Sequence, residues 1–241
     1  MITKLIGGGR NNQTFYWDWI KGSSSLDNPK FFNKNKKSIG PSWYYYDKDI
    51  SYIHNNEGFR TYNFNEIKWE ESIVILGCSI TYGVANALED SIPAIIEKIT
   101  EIPVINLGVS GAGVDLSCVN SLTLHNLYPR PKAIVQLWSG IHRYCEFISD
   151  SEVEHHLPQN KRFCLKHNWK ERNKNYVNFD RTIWKNKTVR YEASFFQETS
   201  QELKVDFLKT IDKARDLSHP GYASNKIAAE QIINMLSKEG L

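Results

Sequence analysis

At 241 residues, 41% hydrophobic and 24% charged, the chain carries enough apolar material for one sizeable α/β core with decoration. A net charge of +3 is too mild to demand a nucleic-acid partner, and no apolar run approaches the length of a bilayer span. Four cysteines, Cys78, Cys118, Cys145 and Cys164, show neither paired nor metal-site spacing, so reduced, buried thiols are expected, with no disulfide framework and no metal.

The opening stretch from Met1 to Gly9 lacks the apolar core of a signal peptide, which predicts a cytoplasmic protein. Residues 1–70 are polar and aromatic-rich, with Phe15-Tyr16-Trp17-Asp18-Trp19 and Trp43-Tyr44-Tyr45-Tyr46, and show no sustained helical period. They read as an extension of turns and short strands whose aromatic clusters pin loops onto a core, with stacking on sugar rings as the alternative.

From Ser72 strands and helices alternate. Ile73 to Gly77 reads as a strand, Ile92 to Ile99 as a helix, Val104 to Leu107 as a strand, Val114 to Asn126 as a helix and Ala133 to Leu137 as a strand. The pattern predicts a parallel sheet with helices on both faces, a three-layer α/β/α sandwich spanning 71–241. Right-handed crossovers then bring the strand ends that carry Ser79, Gly111 and Ser139 to one edge. A basic insertion at about 150–200 breaks the rhythm: from Lys161 to Arg190 ten Lys or Arg stand against Glu171 and Asp180, with Trp169, Tyr176, Phe179 and Trp184 interspersed. It reads as a substrate lid, an anion-binding arm or a solvated loop. Adjacent His155 and His156 do not share a helical face as a metal pair would, and a surface loop is expected there. The last periodic segment runs from Ala223 to Leu236.

Chemistry concentrates in three places. Gly77-Cys78-Ser79-Ile80-Thr81-Tyr82-Gly83 puts a serine at the carboxyl end of the first buried strand, where open α/β sheets collect their chemistry. Serine is a weak nucleophile until a base takes its proton, and Asp216-Leu217-Ser218-His219-Pro220-Gly221 offers an imidazole together with an acid three residues earlier that can hold its tautomer. Asn106-Leu107-Gly108-Val109-Ser110-Gly111 ends a second strand in a glycine-rich turn whose bare N–H groups, that of Gly111 foremost, suit an oxyanion. The bland alternatives are a helix-capping role for Ser79 and turn-capping roles for Asp216 and His219. Cys78 faces away from Ser79 in extended backbone and is expected buried. Thr81 and Asn106 are expected to brace loops.

These blocks, in this order, resemble the SGNH hydrolases, the GDSL esterase/lipase family, over roughly Asn55 to Leu236. The first block there is Gly-Asp-Ser-x-Thr-x-Gly, with Cys78 here in place of its Asp. The second resembles Asn-x-Gly-x-x-Gly and the last Asp-x-x-His-Pro. The resemblance implies a flavodoxin-like sandwich and a serine-dependent ester hydrolase. Ser79 would be its nucleophile, His219 its base and Asp216 its acid, and the N–H groups of Ser79 and Gly111 would bind the oxyanion. It requires no cofactor and implies a small-molecule or glycan ester as substrate. Aromatic richness leans towards an acylated carbohydrate.

The third block departs from the family. Where Gly-x-Asn-Asp supplies an Asn donor to the oxyanion, this chain has Trp138-Ser139-Gly140-Ile141-His142-Arg143, with Gly140 at the Asn position. Ser139, His142 or Arg143 is left as a stand-in donor. Arg143 has two further readings, recognition of a substrate carboxylate or a pair with Glu146 at helical spacing. Two rival functions stay open: a binding or structural protein that keeps the fold with weak chemistry, and an O-acyltransferase that uses the same residues but excludes water.

Overall fold

The computed structural model describes residues 4–8, 12–16, 27–149, 153–156, 168–185 and 188–241, and in it the apolar runs of the sequence become one parallel sheet. Ahead of the sheet, β1 (Thr14–Phe15) pairs antiparallel with β2 (Tyr52–Ile53), and helix α1 (Pro29–Ile39) lies between them in sequence. Periodicity predicts no helix in this stretch. It forms on its terminal signals: the Asn28 side chain accepts the Phe31 N–H at 3.0 Å, Pro29 presets the first turn, and Lys36 and Lys37 occupy the last turn.

There follow β3 (Ile73–Gly77), the one-turn helix α2 (Ser79–Tyr82), α3 (Ile92–Thr100), β4 (Val104–Gly108), α4 (Val114–Leu127) and β5 (Ala133–Leu137). A hairpin of β6 (Tyr144–Phe147) and β7 (Val153–His156) precedes α5 (Trp169–Trp184) and β8 (Val189–Ser194). The chain then runs through α6 (Gln197–Leu203), β9 (Asp206–Phe207) and α7 (Tyr222–Lys238).

The sheet order is β4-β3-β5-β8-β9, with every pair parallel. From β3 the chain steps to one side to form β4, then returns past it to form β5. That reversal puts the switch point of the sheet between β3 and β5, and it is outside the carboxyl ends of such strands that a crevice opens. Register fixes what meets there, because Gly77 lies opposite Gly108 on one side and Leu137 on the other.

Alternation along the strands divides the core in two. Val74, Leu76, Ile105, Leu107 and Ile134 pack on one face with Leu116 and Leu124 of α4 and Trp184 of α5. Ile73, Ile75, Val104, Ala133 and Val135 pack on the other with Ile92 and Ile96 of α3 and Ala228 and Ile232 of α7. The three-layer α/β/α arrangement follows from this period of two on a sheet covered on both sides. Leu5, Ile6, Phe59, Phe64 and Trp69 join the first face, so the N-terminal segments contribute to the same core as the sheet. No helix among the described residues is long and apolar enough to cross a membrane.

The described part of the basic stretch is regular secondary structure, which corrects the solvated-loop alternative there. Trp169–Trp184 is a helix, and the sheet resumes at Val189. The Trp184 indole donates to Ser121 Oγ on α4 at 2.8 Å, and buried Asp180 pairs with Arg190 of β8 and accepts from Gln136 of β5. Its cations are largely engaged locally: Lys170 and Lys174 pair with Glu202, and the Arg172 guanidinium lies 4.1 Å from the Trp169 ring centre. Lys161 to His167, with Cys164, lie outside the described residues, as do Trp17 to Trp19.

Candidate active site

Ser79, His219 and Asp216, 140 residues apart at the extremes of the first pair, meet in one hydrogen-bonded line. The His219 Nε2 lies 2.9 Å from Ser79 Oγ, and its Nδ1 lies 2.5 Å from Asp216 Oδ2. The other Asp216 oxygen accepts the backbone N–H groups of Ser218 and His219 at 2.9 and 3.0 Å, which fixes the carboxylate against the ring it orients. A left-handed residue, Leu217 at φ 56°, turns the chain tightly enough for the acid to face the base three residues on. The Asp216 side chain is 1% exposed while that of His219 is 23% exposed, so the acid is enclosed and the base is open to a substrate. Burial pushes the Asp216 pKa up. The hydrogen bond and charge of His219 and the two backbone N–H groups outweigh it and hold the carboxyl below its ordinary value.

Glycine at two strand ends lets the nucleophile turn sit this deep. A Cβ on Gly77 would lie 2.1 Å from Thr81 Oγ1 and 2.7 Å from the Leu137 carbonyl oxygen, and one on Gly108 would lie 2.4 Å from the Tyr82 nitrogen. Both glycines therefore receive helix α2 directly on the sheet. Asn106 braces the contact, as expected: its amide donates to the Thr81 carbonyl at 3.0 Å and its oxygen accepts the Gly108 N–H at 2.9 Å. Cys78, 1% exposed, precedes the helix in extended backbone and is enclosed in the core.

Gly111 stands three residues past the end of β4 in the left-handed conformation, φ 82°. Among the described residues neither its N–H nor that of Ser79 has an acceptor, so both remain available to a ligand. The loop is also held by the β6–β7 hairpin. His155 of β7 packs on Gly111, its Cγ 3.3 Å from where a Cβ would stand, and its Nδ1 lies 3.4 Å from Cys145 Sγ. Cys145 Sγ accepts the Gly113 N–H, and the Cys145 N–H donates to Asp115 Oδ2 at 2.7 Å. His155 thus belongs to a strand against the candidate oxyanion turn, which corrects the surface-loop expectation. Isolated histidine spacing carried no signal of this, because the pairing of β6 with β7 creates the contact.

The three candidate stand-ins on the loop after β5 end up in different places. Ser139 is fully buried, its hydroxyl enclosed in protein. His142 turns to the surface, where Nε2 meets Glu198 Oε1 at 2.9 Å. The Arg143 side chain lies over Gly140, with Cγ and Nε each 3.7 Å from the position a Gly140 Cβ would take. The pairing of Arg143 with Glu146 at helical spacing does not arise, since Tyr144–Phe147 is a strand. Buried Asn173 and Thr199, which the sequence reading passed over, hold this loop. Asn173 donates to the carbonyls of Ile141 and Arg143 at 2.7 and 3.0 Å, and Thr199 Oγ1 accepts the Ile141 N–H at 2.9 Å.

No protein-family model matches the sequence, and no curated protein does. Among solved structures the chain is similar to an acetyl xylan esterase from the rumen bacterium Butyrivibrio proteoclasticus. The identity is 11%, the TM-score 0.48, and the alignment covers 72% of this chain and 64% of that one. A family two carbohydrate esterase from Clostridium thermocellum, in complex with cellohexaose, aligns at 15% identity and TM-score 0.45, over 72% of this chain and 66% of that one. A member of the lipolytic protein G-D-S-L family from Veillonella parvula aligns at 12% identity and TM-score 0.45, over 68% of this chain and 96% of that one. The chain thus spans about two thirds of the length of the two carbohydrate esterases.

Proposed function

We propose that this protein is a serine-dependent carboxylic ester hydrolase that works through an acyl-enzyme. The observation that carries the reading is the Asp216–His219–Ser79 line at 2.5 and 2.9 Å, with its base partly exposed and its acid enclosed. Ser79 Oγ attacks the ester carbonyl carbon as His219 Nε2 takes the hydroxyl proton, and Asp216 holds Nδ1–H so that Nε2 presents its lone pair. The N–H groups of Ser79 and Gly111 receive the oxyanion. Collapse expels the alcohol with the proton from His219. A water then repeats the sequence on the acyl-enzyme, releases the acid and restores Ser79.

An acylated carbohydrate is the substrate class the aromatic-rich sequence suggests. Of its clusters, Trp43, Tyr44 and Tyr45 support packing instead, with Tyr45 buried among neighbouring rings and its hydroxyl bonded to Asn86. A second reading, a fold retained for binding with weak chemistry, is favoured by Gly140, which offers no side-chain donor where the resembled family has one. A fluorophosphonate probe separates the two, because only an activated serine reacts readily. Labelling mapped to Ser79 by mass spectrometry and lost in His219→Ala is the expected result. Folded protein that takes no label overturns ester hydrolysis and leaves the binding reading.

A further inference from the structure

Resting on that reading, we infer that Arg143 is a specificity-determining residue and that the ester this site accepts carries a carboxylate. The loop after β5 lies at the switch point of the sheet. Leu137 is opposite Gly77, two residues before Ser79, and Gly140 follows Leu137 by three residues just as Gly111 follows Gly108. The loops after β4 and β5 also touch: a Cβ on Gly113 would lie 2.9 Å from the Arg143 carbonyl oxygen and 2.7 Å from the Tyr144 Cα. Arg143 therefore stands on the same rim as the nucleophile and the candidate oxyanion turn.

Its side chain is laid down rather than extended into solvent. The stem covers Gly140, which has no side chain to displace it, and the guanidinium lies 5.0 Å from the Phe196 ring centre. The backbone carbonyl of Arg143 is tied by Asn173, and its N–H donates to the Gly140 carbonyl at 2.8 Å, so the residue is fixed from below. Nε is enclosed in protein and has no hydrogen-bond partner, and no carboxylate of the described residues pairs with the group. Arg181, Arg190 and Arg215 by comparison each meet a carboxylate, and Arg60 is held by the carbonyls of Ser51, Gly83 and Asn86, although Arg60 Nε and Arg190 Nη1 are likewise enclosed without a partner.

A guanidinium fixed by its enclosed stem is poised for an anion, and no carboxylate of the described residues pairs with it. The two terminal nitrogens, which lie outside that enclosure, form a planar fork that matches the two oxygens of a carboxylate. A ligand carboxylate seated on that fork completes the site and fixes the ester over Ser79.

The test pairs esters that differ in one charge. 4-Acetoxybenzoate is compared with 4-acetoxybenzamide for a carboxylate on the alcohol side, and 4-nitrophenyl succinate with 4-nitrophenyl butyrate for one on the acyl side. The wild type is expected to favour the charged member of at least one pair by ~10–100-fold in kcat/KM, through KM, which is the range of a hydrogen-bonded charge. In Arg143→Met that ratio should fall to about one, and Arg143→Lys, which keeps the charge but loses the fork, should fall between. A second measurement needs no variant: benzoate should inhibit the wild type with benzamide inert at equal concentration. A ratio near one in the wild type, or a ratio that Arg143→Met leaves in place, overturns the assignment while ester hydrolysis stands. A wild type that turns over none of the four esters and takes no fluorophosphonate label overturns both.

Discussion

Arg215, the residue before the candidate acid, grips Asp27 with two parallel bonds at 2.8 and 2.9 Å across 188 residues of sequence. Both side chains are buried, and Asp27 also accepts the Tyr52 hydroxyl, which in turn accepts the Ala85 N–H at 2.8 Å. One carboxylate thereby joins the loop of the base to the turn that follows the nucleophile. Removing one partner of a buried ion pair leaves the other charge without compensation, at about 3–5 kcal/mol. Asp27→Asn should lower Tm and lower kcat with KM nearly constant, measured at a temperature where the variant is folded. A variant with lowered Tm and unaltered kcat would confine Asp27 to stability.

Steric reasoning at the strand ends separates two glycine substitutions. Gly77→Ala meets the Thr81 hydroxyl first and the Leu137 carbonyl oxygen second, whereas Gly108→Ala meets the backbone of Tyr82 and Thr81 and the Thr81 Cβ. Overpacking of this kind costs about 1–3 kcal/mol. Adding Thr81→Ala should restore part of the stability lost in Gly77→Ala and little of that lost in Gly108→Ala. Denaturant midpoints of the four variants check this, and equal rescue at both positions would contradict it.

Asp115 should oppose stability as the solution becomes less acidic. Burial lifts its pKa to about 6, against the lowering influence of the N–H groups of Cys145 and Leu116. The folded state then holds the proton more tightly than the unfolded chain between about pH 4 and 6. Its contribution is fully present below the unfolded value and is lost as pH rises through the folded one, by roughly 2–3 kcal/mol in all. Carboxyl NMR should show a midpoint near about 6, and the stability margin of wild type over Asp115→Asn should shrink from pH 4 to 7. A growing margin would reverse the sign.

Asp216 behaves in the opposite sense. Its folded pKa is depressed, so its stabilisation is present above the unfolded value near pH 4 and disappears as pH falls through the folded one. Urea midpoints of wild type and Asp216→Asn should converge at the acid end and separate towards neutrality. At neutral pH the same variant should lose ~10⁴-fold in kcat, since the amide selects the wrong imidazole tautomer. Retained turnover would remove Asp216 from the catalytic line.

The strands and the three chemical blocks were legible because their signals are local. Ile73 to Gly77 and Ala133 to Leu137 are short, largely apolar runs, and Asp216 stands three positions from His219. Helix α1 was missed because it is polar and depends on Asn28 and Pro29 rather than on period. The partnership of Asp27 with Arg215 and the bracing of the β5 loop by Asn173 and Thr199 are long-range products of the fold. No window of sequence contains them. The capping of α7 is nearer but still outside its first turn: Asp212 accepts the N–H groups of Ala223 and Ser224.

Bringing Ser79 to His219 closes 140 residues of chain, while β3, β4 and β5 are near neighbours in sequence. Loop closure over long separations is repaid only after the nearer pairings exist, so the sheet centre is expected to assemble before the base reaches the serine. On dilution from denaturant, reactivity of Ser79 should therefore return later than far-ultraviolet ellipticity. Between the two lies a chain with its strands paired and its hydroxyl still an ordinary alcohol.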